Sequence, residues 1–226
     1  MYSFRQRRDT RVIDEPLYGY YLKSVQVSHP AQQELIKKLD CDGERIIQEQ
    51  ILGPCDRPLI FMKQMAQHLE GLDWGFLALT CNVLFIRDPS QMLPSLVNQV
   101  QGPTLRDTGL AMQTRLFKYL CDLGQDPPVV DSKELLLNPE IVLRQLCGRI
   151  DIEFDEAMLR WPSGPKPEDG LWAPHWYHNA HLSTGFLPYQ KKTQPFPEKL
   201  RPLLEQCRPH YELLRNKAIK ASSESQ

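Results

Sequence analysis

Four short apolar runs, each ending at a polar residue, constrain the fold of this chain more than any other feature. They are TRVID (10–14), PLIFM (58–62), NVLFI (82–86) and PPVVD (127–131). Runs of this length that are rich in Val, Ile, Leu and Phe are typical of strands buried on both faces of a parallel sheet. The stretches between them are long enough for helical crossovers, so the sequence predicts an α/β fold in which helices cover one parallel sheet.

Helical patterns fill the stretches between and after these runs. Helices are predicted over Ala31–Gln50 in one or two pieces, Met65–Leu72, Pro89–Val100, Leu105–Leu123, Ser132–Leu137, Pro139–Ile150, Asp155–Trp161 and Pro197–Lys217. The stretch 162–190 is rich first in Pro and Gly and then in His and aromatic residues, which indicates a loop region. We therefore expect a single domain over 1–217 and a disordered tail over 218–226.

Composition narrows the classes of function. The chain has 27 Lys and Arg against 28 Asp and Glu, a formal net charge of -1, which argues against nucleic-acid or membrane-surface binding but allows one local basic pocket. The longest mainly apolar run, Trp74–Ile86, is too short to span a bilayer, and no secretory signal opens the sequence. The cysteines are scattered, as reduced thiols of a cytoplasmic protein are. The sequence does not indicate an oligomeric state.

Charged residues stand where the predicted strands end. They are Asp14 and Glu15 after the first strand, Lys63 after the second, Arg87 and Asp88 after the third, and Asp131 after the fourth. Ligands of parallel sheets bind outside the carboxyl ends of the strands. We therefore expect a polar site at this edge.

The segment VLFIRDPSQMLPS (83–95) suggests an anion site. Asp88 suits an N-cap and Pro89 a first helical position, so a helix is predicted to begin directly after Arg87, with free N–H groups at its positive end. Arg87 adds a planar fork that binds a phosphate through two hydrogen bonds, and Ser95 adds a hydroxyl from the second turn. In the alternative interpretation, Arg87 pairs with an acidic residue after the first strand and the serine simply fits the available space.

This segment resembles the 3′-phosphate-binding segment of sulfotransferases that use PAPS (3′-phosphoadenosine 5′-phosphosulfate), where an apolar strand ends in Arg and a Ser follows. The wider order of DEPLY, FMKQMAQHL, FIRDP, VVDSKELLLNPE and APHWY…STGF is similar to a sulfotransferase-like P-loop family. The resemblance covers most of residues 1–188. It implies a P-loop NTPase-like α/β fold and transfer of a sulfuryl group from PAPS to a hydroxyl or amine of a small acceptor, without a metal ion.

The resemblance also implies roles for single residues. Arg87 and Ser95 would hold the 3′-phosphate of PAPS. Lys63 would stabilise the leaving phosphate, or it is a surface residue at the rim of the sheet. Ser183, Thr184 and Gly185 would form a small anion-binding turn that closes on the donor.

Two residues compete for the role of base. Cytosolic sulfotransferases have a histidine two positions after such a lysine, where this chain has Met65, so His68 is a possible substitute or else a rim residue. Glu15 lies where some sulfotransferase groups have a glutamate. Asp14 beside Glu15 would raise its pKa, unless the pair only caps a loop or forms an ion pair.

The 5′-phosphosulfate loop of the family has no counterpart here. A Gly-rich turn of the type GPRxxST follows none of the runs, and MYSFRQRRDT resembles the last turns of the helix that normally follows this loop. We therefore expect an N-terminally truncated form of the fold with impaired activity. The alternatives are a non-catalytic nucleotide-binding or protein-interaction scaffold and a nucleoside-phosphate kinase relative, against which the missing GKT/S sequence counts.

Two further clusters have structural explanations. An acceptor pocket or a packed core would explain the aromatic set Tyr18, Tyr20, Tyr21, Trp172, Trp176 and Phe186, and the core is the commoner case. A second set, His175, His178 and His181, has three-residue spacing but no carboxylate or cysteine in register. Zinc needs a converging set of ligands, so no metal site is predicted.

Overall fold

The computed structural model of the chain describes residues 1–24 and 31–222. Its four strands within these ranges are β1 (Thr10–Asp14), β2 (Leu59–Lys63), β3 (Leu84–Ile86) and β4 (Val129–Asp131). They form two parallel pairs, β1 with β2 and β3 with β4. The α/β class and all four predicted strands are confirmed, but the strands lie in two two-stranded sheets rather than one.

Helices fill most of the stretches where the sequence predicts them. They are α1 (Tyr2–Arg5), α2 (Tyr18–Ser24), α3 (Gln32–Lys38), α4 (Gly43–Ile46), α5 (Pro89–Leu96), α6 (Leu110–Asp122), α7 (Ser132–Leu137), α8 (Pro139–Arg149), α9 (Ala173–Trp176), α10 (His178–Leu182) and α11 (Arg201–Arg215). A π-helical turn, Ile47–Ile51, continues α4.

Two of the predicted helices are single 3₁₀ turns, at Ala66–Leu69 and Glu156–Leu159. The first turn is followed by Gly71, whose φ is 81°. A left-handed residue ends a helix, and a segment this short makes the tighter i→i+3 bonds instead.

The prediction that the strands are buried on both faces is confirmed for β4, whose three residues are all buried. It is wrong for β2, where every residue is half-buried. It is also wrong for β3, where Phe85 is 54% exposed. A sheet of two strands leaves each strand with only one neighbour, so helices and loops cover it incompletely.

The chain divides into two compact units. The first comprises Met1–Leu79 and Asp155–Phe186 and contains the β1–β2 sheet. Its core includes Tyr18, Tyr21 and Trp172, each less than 5% exposed. These three rings pack with Leu22 and Leu35, as the core interpretation predicts.

The second unit comprises Thr80–Phe154 and Leu187–Gln226 and contains the β3–β4 sheet. Helix α11 packs against α5 and α6 and contacts both strands. Beyond α11, Ala218 pairs with Val129 and both Ala218 and Ile219 are buried. Packed structure thus continues two residues into the predicted tail, of which residues 223–226 lie outside the described ranges.

No helix in the described ranges has both the length and the apolar character needed to cross a membrane. The cysteines, all of which are described, form no disulfide bond.

Candidate functional site

The ends of β1 and β2 bring together the residues that the sequence predicts as base and leaving-group partner. The parallel register sets Asp14 opposite Lys63, and the N–H of Glu15 donates to the Lys63 carbonyl at 2.7 Å. Glu15 has a φ of 42°. A left-handed residue with a side chain is strained by roughly 1–3 kcal/mol, and such strain is concentrated at functional sites.

Lys63 and Glu15 form an ion pair between the ammonium Nζ and Oε1. The Glu15 side chain is 7% exposed and that of Lys63 is 29% exposed. Burial lowers the pKa of Lys63 despite the opposing charge of Asp14. The pair is therefore a poorly solvated cation and anion, an environment in which each charge acts strongly on a bound molecule.

His68 lies in the interior behind Glu15. It is only 2% exposed, and its ring lies 5.2 Å from the ring centroid of Tyr18 and 4.6 Å from that of Tyr21. Its Nε2 is 3.8 Å from Glu15 Oε2, too far for a hydrogen bond but within range of an ion pair if the ring is protonated. The rim alternative for His68 is therefore wrong. An acceptor bound at the surface would meet Glu15 before His68.

Asp14 and Tyr177 complete this cluster. The Asp14 side chain is 1% exposed. It accepts hydrogen bonds from the Tyr177 hydroxyl at 2.8 Å and from the Gly170 N–H at 3.1 Å. Tyr177 lies 114 positions from Lys63, whose Nζ donates to its hydroxyl at 2.8 Å. Tyr177 is not predictable from the sequence, because no local pattern links residues so far apart.

In the second unit, the predicted start of a helix after Arg87 is confirmed. Asp88 caps α5 by accepting from the Ser90 N–H at 2.7 Å, and Pro89 occupies the first turn. The prediction of free N–H groups at this helix end is wrong. Pro89 has no N–H, and the N–H groups of Gln91 and Met92 donate to the Asp88 carbonyl. An anion at this position depends on side chains instead.

Arg87, Ser95 and Lys192 form a basic cluster at the end of β3. Lys192 Nζ donates to Ser95 Oγ at 2.7 Å, and its backbone N–H donates to Gln91 Oε1 at 3.0 Å. Partial burial and then the charge of Arg87 lower the pKa of Lys192. Within the described ranges Arg87 has no carboxylate at ion-pairing distance. The structure thus places two cations and a hydroxyl together, with no acid of the described residues at ion-pairing distance of Arg87.

Lys192 is a second residue that the sequence did not reveal. It lies 97 positions from Ser95, in a Lys-Lys pair with the composition of an ordinary solvated surface. Lys192 joins the basic cluster only because the chain after Phe186 folds back on α5, where it contacts Gln91 and Ser95.

The turn Ser183–Gly185 lies in the first unit and is held by structural contacts. The Ser183 hydroxyl donates to the Ala180 carbonyl at 2.7 Å and accepts from the Trp161 indole N–H at 3.0 Å. Gly185 pairs with Arg160, and an added Cβ would lie 3.0 Å from the Leu159 carbonyl. The Thr184 side chain is exposed. A role of this turn in donor binding stays a prediction.

The three histidines after Ala173 do not converge. His181 Nε2 lies 2.9 Å from Asp169 Oδ2. Asp169 also accepts hydrogen bonds from the Tyr2 hydroxyl and the Lys166 N–H. Across the described part of the chain, no group of three or more His, Cys, Asp or Glu side chains is arranged to hold a metal ion.

Comparisons with known proteins show which family the chain belongs to. A family model described as "Sulfotransferase domain" matches residues 1–218. The chain is also similar to a solved structure, "Sulfotransferase Domain from the Curacin Biosynthetic Pathway", at 16% identity with a TM-score of 0.43, over 84% of this chain and 77% of that chain.

Two curated relatives come from Arabidopsis thaliana. "Branched-chain-amino-acid aminotransferase-like protein 2" is 42% identical over 216 residues, which are 95% of this chain and 38% of that protein. "Branched-chain-amino-acid aminotransferase-like protein 1" is 38% identical over 224 residues, 99% of this chain and 40% of that protein. The chain thus spans about two fifths of the length of these relatives. Since the family model covers nearly the whole chain, the chain belongs to the sulfotransferase-domain family.

Proposed function

We propose that this chain binds PAPS and transfers its sulfuryl group to a hydroxyl or amine of a small acceptor. Sulfotransferases as a family use PAPS as the donor. The observation that carries the proposal is the basic cluster of Arg87, Ser95 and Lys192, two cations and a hydroxyl with no acid at ion-pairing distance of Arg87 in the described ranges. Such a cluster favours a dianion such as the 3′-phosphate of the donor.

The three residues of the cluster would bind a phosphate through different hydrogen-bonding groups. Arg87 presents a planar fork for two parallel hydrogen bonds, and Lys192 a compact charge with three donors. The Ser95 hydroxyl accepts from Lys192 and can still donate its own proton to a phosphate oxygen. The lowered pKa of Lys192 reflects partial burial and repulsion from Arg87, and a bound phosphate would relieve both.

A separate set of residues, in the first unit, supports the transfer chemistry. As the acceptor oxygen or nitrogen attacks sulfur, its proton passes to the Glu15 carboxylate, which lies against the Lys63 ammonium. The bond from sulfur to the bridging phosphate oxygen breaks, and Lys63 stabilises the negative charge that collects on the leaving phosphate. His68 contacts Glu15 from the interior, so we assign it a supporting rather than a proton-accepting role.

We do not propose aminotransfer for this chain. The names of the curated relatives belong to proteins more than twice as long, and the match covers about two fifths of each. The family model over residues 1–218 describes a sulfotransferase domain.

Thermal unfolding with adenosine 3′,5′-bisphosphate, the product form of the donor, tests the proposal. At 100 times its Kd a ligand adds about 2.7 kcal/mol, or roughly 5–10 °C in Tm for a chain of this size. Arg87→Ala is expected to abolish most of this shift. Arg208→Ala is the matched control, because Arg208 is an exposed arginine of the same unit whose ion-pair partner, within the described residues, is Glu205.

The outcomes separate the proposed enzyme from a scaffold. A shift that Arg87→Ala loses and Arg208→Ala keeps supports the donor site, and transfer of labelled sulfate from PAPS to a panel of phenols, alcohols and amines then tests turnover. Bisphosphate binding without transfer to any acceptor would favour the non-catalytic nucleotide-binding alternative. A cooperative wild-type transition that the bisphosphate leaves unmoved would refute donor binding.

A further inference from the structure

The Tyr177 hydroxyl uses all of its hydrogen-bonding capacity on three residues: Asp14 and Lys63, which end β1 and β2, and Trp172. It donates to the Asp14 carboxylate, both of whose oxygens lie at 2.8 Å. It accepts from Lys63 Nζ at 2.8 Å and from the Trp172 indole N–H at 3.4 Å. A phenol has one proton and two lone pairs, so the direction of each of these hydrogen bonds is fixed.

The environment keeps the phenol protonated. Burial and the Asp14 carboxylate both raise the pKa of Tyr177 well above its usual range. Tyr177 therefore stays a donor towards Asp14 and an acceptor towards Lys63. The direct distance between Lys63 Nζ and Asp14 Oδ1 is 3.6 Å, longer than a hydrogen bond, so the hydroxyl stands between the two charges.

The positions of Glu15 and Tyr177 fix the directions of the N–H bonds of the Lys63 ammonium. One donates to Glu15 and one to Tyr177. The third has no acceptor at hydrogen-bonding distance among residues 1–24 and 31–222, and Asp14 Oδ1, at 3.6 Å, lies only within ion-pair range. If the Tyr177 hydroxyl were removed, the buried Asp14 carboxylate would keep, among the described residues, one hydrogen-bond donor, the Gly170 N–H, and the loss of the other is unfavourable. The ammonium 3.6 Å away could replace it, and Lys63 would then turn towards Asp14.

We infer that Tyr177 is a positioning residue for Lys63. Its hydroxyl holds the ammonium against Glu15 and keeps the third N–H available for the leaving phosphate. The identity of that phosphate rests on the proposed function. The hydrogen-bond arrangement itself can be measured without turnover, through the reactivity of the Lys63 amine.

Two substitutions should change this reactivity in opposite directions. Tyr177→Phe keeps the ring and its cation–π contact with Lys63 (5.1 Å). Without the hydroxyl, Asp14 can pair directly with the ammonium, which favours the protonated and unreactive form. Lys63 is therefore expected to react with acetic anhydride at about pH 9 at a rate lower by about threefold or more. Asp14→Asn removes the neighbouring negative charge, so the amine should react about threefold or more quickly.

The measurement is quantitative mass spectrometry of the Lys63 peptide, normalised to the exposed Lys118. Tyr20→Phe is the matched control, since its hydroxyl donates to the Glu70 carbonyl at 3.1 Å and does not contact Lys63. Wild-type Lys63 reactivity in a cooperatively melting Tyr177→Phe protein would overturn the inference. If that variant does not fold, the Asp14→Asn result decides, and an unchanged or slower rate overturns the inference.

Bisphosphate binding by the same preparations keeps the two proposals apart. A wild-type protein that does not bind adenosine 3′,5′-bisphosphate would refute the proposed function and leave the Lys63 result standing. Where turnover is observed, Tyr177→Phe should lower kcat about tenfold while the KM for the donor changes by less than about twofold, because the hydroxyl acts on the leaving group. Equal loss in Tyr20→Phe would instead show a general structural effect.

Discussion

At the scale of single residues, the structure buries a lysine that composition would place at the surface. Lys166 is 9% exposed, and its ammonium donates to the carbonyls of Pro162, Ser163 and Gly164 at 2.6, 3.1 and 2.7 Å. Three converging carbonyls satisfy all three N–H bonds of the ammonium. Lys166 thus fixes the start of the Pro/Gly-rich loop, which the sequence presents only as a surface segment.

Lys166→Met tests this role, since it keeps the length of the side chain and removes the donors. Hydrogen bonds to a charged group contribute about 1.5–3 kcal/mol each, but water would solvate part of the freed loop, so we expect a loss of about 2–4 kcal/mol in the free energy of unfolding. Urea denaturation measures it. The exposed Lys191 provides the control, and Lys191→Met should stay within about 0.5 kcal/mol of wild type. Equal stabilities for both variants would contradict the role of Lys166.

At the scale of elements, two helical glycines differ in what surrounds them. Gly19 lies in α2, where an added Cβ would lie 2.2 Å from the Asp40 carbonyl oxygen and 2.8 Å from the Leu39 Cβ. Gly148 lies in α8, where an added Cβ would meet nothing within 4 Å. The first glycine permits a close approach of two chain segments, whereas the second only weakens its helix.

Alanine substitution should therefore act in opposite directions at the two positions. Gly19→Ala forces the backbone at residues 39–40 to move and should lower the free energy of unfolding by about 1–3 kcal/mol. Gly148→Ala removes the entropic disadvantage of glycine within a helix and should raise it by about 0.5–1 kcal/mol. Chemical denaturation of both variants and of the wild type measures these changes in the free energy of unfolding. A Gly19→Ala protein at least as stable as wild type would show that the approach is not tight.

Elements were predictable from the sequence where a local pattern defines them. The runs at β1 to β4 are apolar and end at polar residues, and Asp88-Pro89 marks the start of α5. The burial of β2 and β3 was not predictable, because it depends on how many strands pair in each sheet. Arg87 and Ser95 were found because both lie on one strand–helix connection, whereas Lys192 and Tyr177 reach their partners over 97 and 114 positions.

At the scale of the whole molecule, four tyrosines with raised pKa values, three buried and Tyr177 half-buried, set the response of the fold to alkali. The pKa values of Tyr2, Tyr177 and Tyr211 are raised above their usual range, and burial together with Tyr21 raises the pKa of Tyr18 to about 12. For Tyr2, Tyr177 and Tyr211, burial acts together with a hydrogen-bonded carboxylate, Asp169, Asp14 or Asp131. Each phenol is bound more tightly to its proton in the folded than in the unfolded chain.

The sign of the pH dependence follows from these raised values. The stability they contribute is fully present below the unfolded tyrosine pKa of about 10 and is lost as the pH rises above it, because the unfolded chain then releases protons that the folded chain retains. Lys63 and Lys192, whose pKa values are lowered, oppose this trend. We expect Tm to fall steeply above about pH 10, and the absorbance of tyrosinate to rise as the chain unfolds. Tyr211→Phe should flatten the fall, and Tyr189→Phe, which removes a hydroxyl without a hydrogen-bond partner in the described ranges, should not. Tyrosinate absorbance that rises fully near pH 10 in a protein still folded would contradict the raised pKa values of these phenols.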